Sequence, residues 1–160
     1  MTKRIPEGFH TITPHLVVQG AADAIEFYKK AFGAKEIMRM PSPDGTMVMH
    51  AEIRIGDSVL MLVDDMPMMQ RWVSPDRLNG TTIALSIFTE DADALYQRAI
   101  DAGASESMKP MDAFWGDRYS KVTDPFGHEW EICSHMEDLT PEQIGRRAEE
   151  FFANLGECDV

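Results

Sequence analysis

Residues 121–135 read KVTDPFGHEWEICSH, and this stretch decides the fold predicted for the chain. Alternating residues on both sides of the turn Asp124-Pro125-Phe126-Gly127 predict two antiparallel strands. Pro125 fixes φ at the first corner of the turn, and Gly127 tolerates a positive φ. We therefore predict a β-hairpin at this position.

A weaker copy of this hairpin lies earlier in the chain, at residues 51–63, AEIRIGDSVLMLV, where Gly56 stands in the place of Gly127. These two glycines are separated by an offset of 71 (127 − 56). The glycines that end the preceding helices, Gly33 and Gly103, are separated by 70 (103 − 33). The nearly constant offset predicts that the chain repeats one β-α-β-β-β unit.

The predicted elements define an α+β fold with two tandem βαβββ modules and a C-terminal helix. We predict one domain made of module 1 (about 12–64), a connecting loop (65–80), module 2 (about 81–135) and a helical tail (138–156). In module 1 we predict strands at 13–18, 36–40, 48–55 and 58–63 and a helix at 21–32. In module 2 we predict strands at 82–88, 105–108, 118–123 and 128–133 and a helix at 91–102. A capping box of Thr140 and Gln143 predicts where the last helix begins.

The composition of the chain limits the classes of partner that it can bind. The 160 residues include 27 acidic and 15 basic side chains, a formal charge of −12, which disfavours nucleic acid and anionic membranes. There is no apolar run long enough for a transmembrane helix and no secretory signal at the start. The two cysteines, Cys133 and Cys158, are no disulfide framework, so we expect a cytoplasmic protein.

The repeated module and its closing stretch DPFGHEWEI resemble the vicinal oxygen chelate superfamily, which includes glyoxalase I, extradiol dioxygenases and bleomycin-resistance proteins. The stretches FWGDRYSKVTDPFGHEW, MHAEIRIGDSVLML and DLTPEQIGRRA are most similar to its PhnB-like, glyoxalase-like branch. This resemblance implies two modules that form a curved mixed-sheet cleft, often within a homodimer, and a small-molecule ligand.

The resemblance also implies where metal ligands would lie, namely on the first and last strands of each module. Carried over to this chain, the four positions are Thr13, Leu60, Thr82 and Glu131. Only Glu131 offers a donor that a divalent metal prefers. We therefore expect no cofactor by the family pattern, and a divalent metal only at a displaced site.

Strand alternation predicts which side chains face the cleft. On the strand at 48–55 we expect Met49, Ala51, Ile53 and Ile55 to pack under the helix, with His50 and Glu52 turned to the cleft. A catalytic set then consists of His50, Glu52 and Glu131, with a glutamate as base and His50 as proton carrier or metal ligand. The alternative is a polar row with cross-strand pairing. Further residues on the inward faces are candidates for substrate binding: Thr13, His15 and Thr82.

The loop before the hairpin holds a second substrate-binding candidate, formed by Phe114, Trp115, Asp117 and Arg118. An aromatic pair can stack on a flat ligand, and Arg118 can hold a carboxylate or phosphate. The alternative is a structural pair of Asp117 and Arg118 with Trp115 packed beneath it. The Met-rich connector, residues 66–69 together with Trp72, is either an adaptable lid or a loose interface.

Three functions remain open on the sequence. The first is a metal-free small-molecule binder similar to the bleomycin-resistance proteins, for which the acidic surface permits a cationic ligand. The second is a lyase, isomerase or dioxygenase with a displaced site around His50, Glu52 and Glu131. The third is a structural or interaction protein with an inactive cleft. Convergence of His50 and Glu131 would favour the enzyme.

Overall fold

The computed structural model describes residues 3–68 and 72–156, in which one β-α-β-β-β unit follows another. Two predicted features, Met69 of the connector and Cys158, lie outside the described residues. The first unit consists of β1 (His15–Val18), α1 (Ala21–Phe32), β2 (Lys35–Pro41), β3 (Val48–Ile55) and β4 (Ser58–Asp64). A short helix, α2 (Pro75–Leu78), precedes the second unit. That unit consists of β5 (Ala84–Phe88), α3 (Ala92–Ala102), β6 (Ser105–Asp112), β7 (Asp117–Thr123) and β8 (Glu129–His135), and α4 (Pro141–Gly156) follows it.

Each unit folds into a four-stranded mixed sheet, with strand order β1-β4-β3-β2 in the first and β5-β8-β7-β6 in the second. In both sheets the first strand is parallel to the last, and the other neighbours are antiparallel. The parallel registers place His15 beside Met61 and Ser86 beside Glu131. The predicted fold class and the internal duplication are confirmed.

The two units share one core. Helix α1 packs on the first sheet, α3 packs on the second, and the two helices contact each other. Trp130 of β8 joins this core between the rings of Tyr28 and Phe32 of α1, at centroid distances of 5.4 and 4.7 Å. The helix-covered faces of both sheets therefore turn toward each other. We call the opposite face of each sheet its free face.

Two predictions about side-chain direction are wrong. Met49 is 37% exposed because Met40 pairs with His50 while Pro41 pairs with Val48, which leaves Met49 in a β-bulge and buries Val48 instead. Leu60 does not face the cleft, since it pairs with buried Ile53 and packs in the core.

The position of Leu60 follows from a difference between the two hairpin turns. Leu60 and Leu62 are buried on the helix-covered face as Trp130 and Ile132 are, which sets an offset of 70 between the last strands. The turn glycines are separated by 71 because their positions differ: Gly56 begins the turn between Ile55 and Ser58, whereas Gly127 lies near the end of the turn between Thr123 and Glu129. The residue on the free face that corresponds to Glu131 is therefore Met61.

The predicted 65–80 loop contains helix α2, whose start and end have local causes. Ser74 takes an extended conformation at the N-cap, and Pro75 occupies the first helical turn, where a missing N–H costs nothing. Asn79 ends the helix with a positive φ of 54°. The predicted strand at 105–108 is too short, because β6 extends through Asp112.

The C-terminal helix begins as predicted, with Thr140 and Gln143 exchanging hydrogen bonds of 2.8 and 3.3 Å in a capping box. It contacts its own chain through Phe151, whose ring centroid lies 5.6 Å from that of Phe114. None of the described helices is both long and apolar enough to span a membrane.

Candidate functional site

The free face of the first sheet brings together three of the polar residues predicted from sequence. Nε2 of His50 lies 3.3 Å from Oε1 of Glu52, and the rings of His15 and His50 stand edge to face at 5.7 Å. These side chains lie on β1 and β3, on either side of β4. Strand alternation therefore placed His15, His50 and Glu52 on the same face of one sheet, as expected.

His15 is the unusual member of this group. The Trp72 indole from the connector packs on its ring at a centroid distance of 4.7 Å. Its Nε2 is buried and has no hydrogen-bond partner among the described residues. Burial, and then the neighbouring His50, lower the pKa of His15 below its ordinary value of 6.5, so the ring is neutral at physiological pH. A neutral ring has one donor and one acceptor nitrogen to satisfy.

His15 also lines a pocket of about 520 Å³ between β1, α2 and the segment that leads into β5. We call it the His15 pocket. Its lining combines apolar side chains with histidine and threonine: His15, Val17, Val73, Pro75, Leu78, Gly80, Thr81, Thr82, Ile83 and His128. Two predicted substrate-binding residues, His15 and Thr82, thus share one pocket. Thr13 lies just before β1 and donates a hydrogen bond to the His10 carbonyl.

The remaining lining residues were not singled out from sequence. Helix α2 supplies Pro75 and Leu78, and the Ser74-Pro75 capping pattern was the signal that could have located it. His128 lies in the turn just before β8. Its Nε2 lies 3.1 Å from the Val17 carbonyl oxygen on the open edge of β1, where the ring joins the two units.

Glu131 does not join His50 and Glu52, because it lies on the free face of the second sheet. Its Oε1 accepts a hydrogen bond of 2.9 Å from the Tyr119 hydroxyl, and its Oε2 accepts one from Ser86. Burial, and then this contact, raise the pKa of Tyr119 to about 12, so the phenol stays protonated as a donor. Both oxygens of the carboxylate are therefore engaged by hydroxyl groups.

The residues at the implied metal positions do not fit a metal. Threonine hydroxyls at positions 13 and 82 and the thioether of Met61 are poor ligands for a hard or borderline divalent ion. Glu131 is bound by Ser86 and Tyr119. Within residues 3–68 and 72–156, no group of three or more His, Cys, Asp or Glu side chains is placed to hold a metal ion.

The loop at 114–118 has a different arrangement from either sequence hypothesis. Nε1 of Trp115 donates a hydrogen bond of 2.9 Å to Asp117, which also contacts His135 at 2.8 Å. Arg118 instead forms a two-point ion pair with Asp93 of α3, at 2.9 and 3.0 Å. Asp117 and Arg118 are not paired with each other, and the guanidinium is already neutralised on the helix side of the sheet.

A cavity of about 870 Å³ lies elsewhere, between the β3–β4 hairpin and β5. Its lining is mainly apolar, with Phe32 and Trp130 among the residues. The His10 ring is 3.3 Å from the Asp57 carbonyl oxygen, and Ser58 bonds to the Asp57 carboxylate. These polar groups already have partners, so this cavity suits an apolar contact better than a polar ligand.

Comparison with known proteins identifies the family. The sequence profile of the Glyoxalase/Bleomycin resistance protein/Dioxygenase superfamily matches residues 8–132. The chain belongs to this superfamily, as its duplicated units and closing hairpin indicated.

Relatives share most of the length of the chain. An uncharacterized protein of Mycobacterium bovis is 43% identical over 135 residues, covering 83% of this chain and 88% of the relative. The crystal structure of the At5g48480 gene product of Arabidopsis thaliana is 31% identical, with a TM-score of 0.60, and covers 77% of this chain and 97% of that one. The PhnB protein of Bacillus cereus shares the fold, at 16% identity and a TM-score of 0.59, over 78% of this chain and 99% of that one.

Proposed function

We propose that this chain is a metal-independent small-molecule binding protein of the PhnB-like branch, and that the His15 pocket is its binding site. The observation that carries the proposal is the lining of that pocket. It lies between β1, α2 and the segment that leads into β5, and it presents apolar groups, Thr82 and a neutral His15. Such a lining binds an organic molecule by contact and hydrogen bonding.

The dimensions of the pocket support this proposal. Small-molecule sites are typically concavities of about 300–1,000 Å³ with mostly apolar linings and a few polar groups that fix orientation. At about 520 Å³, with Leu78 and Ile83 as apolar walls, the His15 pocket falls in that class.

A second copy of the chain completes the binding unit in this proposal. Strands β1 and β5 each pair on one side only, which leaves two open sheet edges. Large apolar side chains near these edges are highly exposed: Ile12 at 85%, Ile83 at 68% and Phe88 at 66%. Exposed apolar groups of this size beside open edges favour contact with another chain. A homodimer built on these edges would cover them and deepen the pocket.

Binding of small-molecule fragments in the presence of EDTA tests the proposal. Fragments that raise the thermal midpoint should do so without added metal, and Leu78→Asp should abolish their effect because it places a charge in the apolar wall. Leu78 is 64% exposed, so the substitution leaves the core intact. Fragments that bind only after Ni²⁺, Zn²⁺ or Mn²⁺ is added, or that bind Leu78→Asp equally well, would contradict the proposal.

Acid–base catalysis is the second candidate function, and the contact between His50 and Glu52 favours it. A carboxylate 3.3 Å from an imidazole can orient the ring for proton transfer. Glu131 takes no part in this version, because it lies on the other sheet. If a substrate is turned over, His50→Gln should lower kcat with little change in binding, whereas unchanged kcat would exclude the pair from catalysis.

A further inference from the structure

We infer that the His15 pocket selects an uncharged, largely apolar molecule that carries a hydroxyl group. This inference names the ligand class for the proposed binding site and therefore rests on that function. It differs from the cationic ligand that the overall charge of the chain permits.

The residues that line the pocket indicate an uncharged ligand. Apart from His15 and His128, the residues that form the pocket are apolar or hydroxyl-bearing and carry no charge. His15 is neutral, and the His128 ring is already used at the Val17 carbonyl oxygen. A charged ligand would find no opposite charge there, and it would lose the part of its hydration that the apolar walls displace, which is unfavourable.

The acidic groups of the chain do not alter this conclusion, because those near the free faces have other partners. Glu52 contacts His50, and Glu131 accepts hydrogen bonds from Ser86 and Tyr119. Glu129 accepts a hydrogen bond from Thr123 and lies 3.5 Å from the ammonium of Lys121. The net charge of −12 thus comes from residues outside the pocket, whose lining contains no Asp, Glu, Lys or Arg.

The hydroxyl group follows from Nε2 of His15, which has no hydrogen-bond partner within residues 3–68 and 72–156. A buried polar atom without a partner costs about 1–3 kcal/mol, which a ligand that supplies the missing bond recovers in part. A hydroxyl group both donates and accepts, so it satisfies Nε2 in either tautomer of the ring. Because Nε2 is buried and the Trp72 indole packs on the imidazole, this hydrogen bond requires that the ligand displace the indole, which is 44% exposed.

Four naphthalene derivatives of similar size test the inference by equilibrium dialysis at pH 7 in EDTA: 2-naphthol, 2-methylnaphthalene, 2-naphthoate and 2-naphthylmethylammonium. We expect 2-naphthol to bind about 10-fold more tightly than either charged probe. We also expect 2-methylnaphthalene, although more apolar, to bind no more tightly than 2-naphthol.

A variant of His15 tests the hydrogen bond. His15→Phe keeps a ring but removes both nitrogens, and it should weaken the binding of 2-naphthol by about 3- to 10-fold, the value of one net hydrogen bond. His135→Phe, which removes an exposed imidazole outside the pocket, is the control and should leave the affinity unchanged.

The outcomes separate the ligand class from the binding function. If a charged probe binds as tightly as 2-naphthol, or 2-methylnaphthalene binds more tightly, the ligand class is wrong. An unchanged affinity of folded His15→Phe for 2-naphthol would also overturn it. In each case the proposed function survives only if Leu78→Asp abolishes the binding that is seen. If no probe binds, or Leu78→Asp binds as the wild type does, the pocket is not a binding site and both conclusions fall. The comparison of probes on the wild-type protein holds even if His15→Phe fails to fold.

Discussion

The hydroxyl of Tyr28 donates a hydrogen bond of 2.7 Å to Oδ2 of Asp124, and this bond joins the helix of the first unit to the hairpin turn of the second. Nε1 of Trp130 donates to the same oxygen at 2.8 Å. The backbone N–H groups of Phe126 and His128 donate to Oδ1, both at 2.9 Å. Four donors thus satisfy one buried carboxylate. Burial, and then Asp124, raise the pKa of Tyr28 well above its ordinary value, so the hydroxyl remains a donor.

Asp124→Ala should therefore be among the most destabilising single substitutions in the chain. It leaves the Tyr28 hydroxyl and the Trp130 N–H buried without an acceptor, and we expect a loss of about 3–5 kcal/mol in the free energy of unfolding. Urea denaturation measures it, with Asp101→Ala on the exposed side of α3 as the control. A loss below about 1 kcal/mol would mean that the carboxylate does not hold the two units together.

Gly127 and Gly56 occupy corresponding turns and form a matched pair of substitutions. Both have a positive φ, 84° and 57°, so alanine is strained at each. A Cβ at Gly127 would lie 2.8 Å from Cβ of Pro75 in α2, whereas a Cβ at Gly56 would meet nothing within 4 Å. We expect Gly56→Ala to cost about 1–2 kcal/mol and Gly127→Ala at least about 1 kcal/mol more. Equal losses in urea denaturation would show that α2 does not press on this turn.

The neutral His15 makes folding stability depend on pH. Its pKa in the folded state is lowered by burial and His50, so the unfolded chain binds a proton more readily. The stability contributed by the neutral ring is present above the unfolded value of 6.5 and is lost as the pH falls below it. His15→Gln should flatten the decline in thermal midpoint between about pH 6.5 and 5.

His135 serves as a control, because its pKa is shifted in the opposite direction. Hydrogen bonds to Asp117 and then Asp138 raise its pKa, so its contribution is present below 6.5 and is lost as the pH rises through the raised value. His135→Gln should change the neutral-to-alkaline part of the profile and leave the acid part as it is. If His15→Gln and wild type decline in parallel below pH 6.5, the folded ring of His15 is not held neutral by its surroundings.

The proposed dimer predicts a change of mass on substitution at the open edge of β5. Ile83 is 68% exposed beside that edge, and an aspartate there would have to be buried without a partner in the dimer. Ile83→Asp should therefore shift the mass measured by light scattering toward the monomer of 18.0 kDa. Met136→Asp, at a residue 64% exposed after β8, serves as the control. A wild-type protein that is monomeric at all concentrations would contradict the proposed homodimer.

Much of the fold was predictable because its signals are local. Helix α1 has the predicted bounds, since Gly33 ends it with a positive φ of 68°. The Asp-Pro-Phe-Gly turn and the alternation around it were likewise sufficient to locate the closing hairpin. The same alternation placed His50 and Glu52 on one face of their strand, whereas His15 was assigned to that face through the ligand position that the family resemblance implies.

The features that were missed depend on contacts between distant segments. The bulge at Met49 and the inward turn of Leu60 depend on register between strands, which spacing along one strand does not give. Arg118 finds its partner, Asp93, on a helix 25 residues earlier in the chain. The His15 pocket exists because α2 lies against β1, and a short helix with a proline at its start carries little apolar periodicity.

The most direct test of the central claim is a ¹H–¹⁵N correlation spectrum of the protein in EDTA, recorded as 2-naphthol is added. We expect the backbone signals of residues 78–83 and Val17 and the imidazole nitrogen signals of His15 to shift, and we expect these shifts without added metal. Shifts centred on Tyr119 and Glu131, or shifts that appear only after a divalent metal is added, would contradict it.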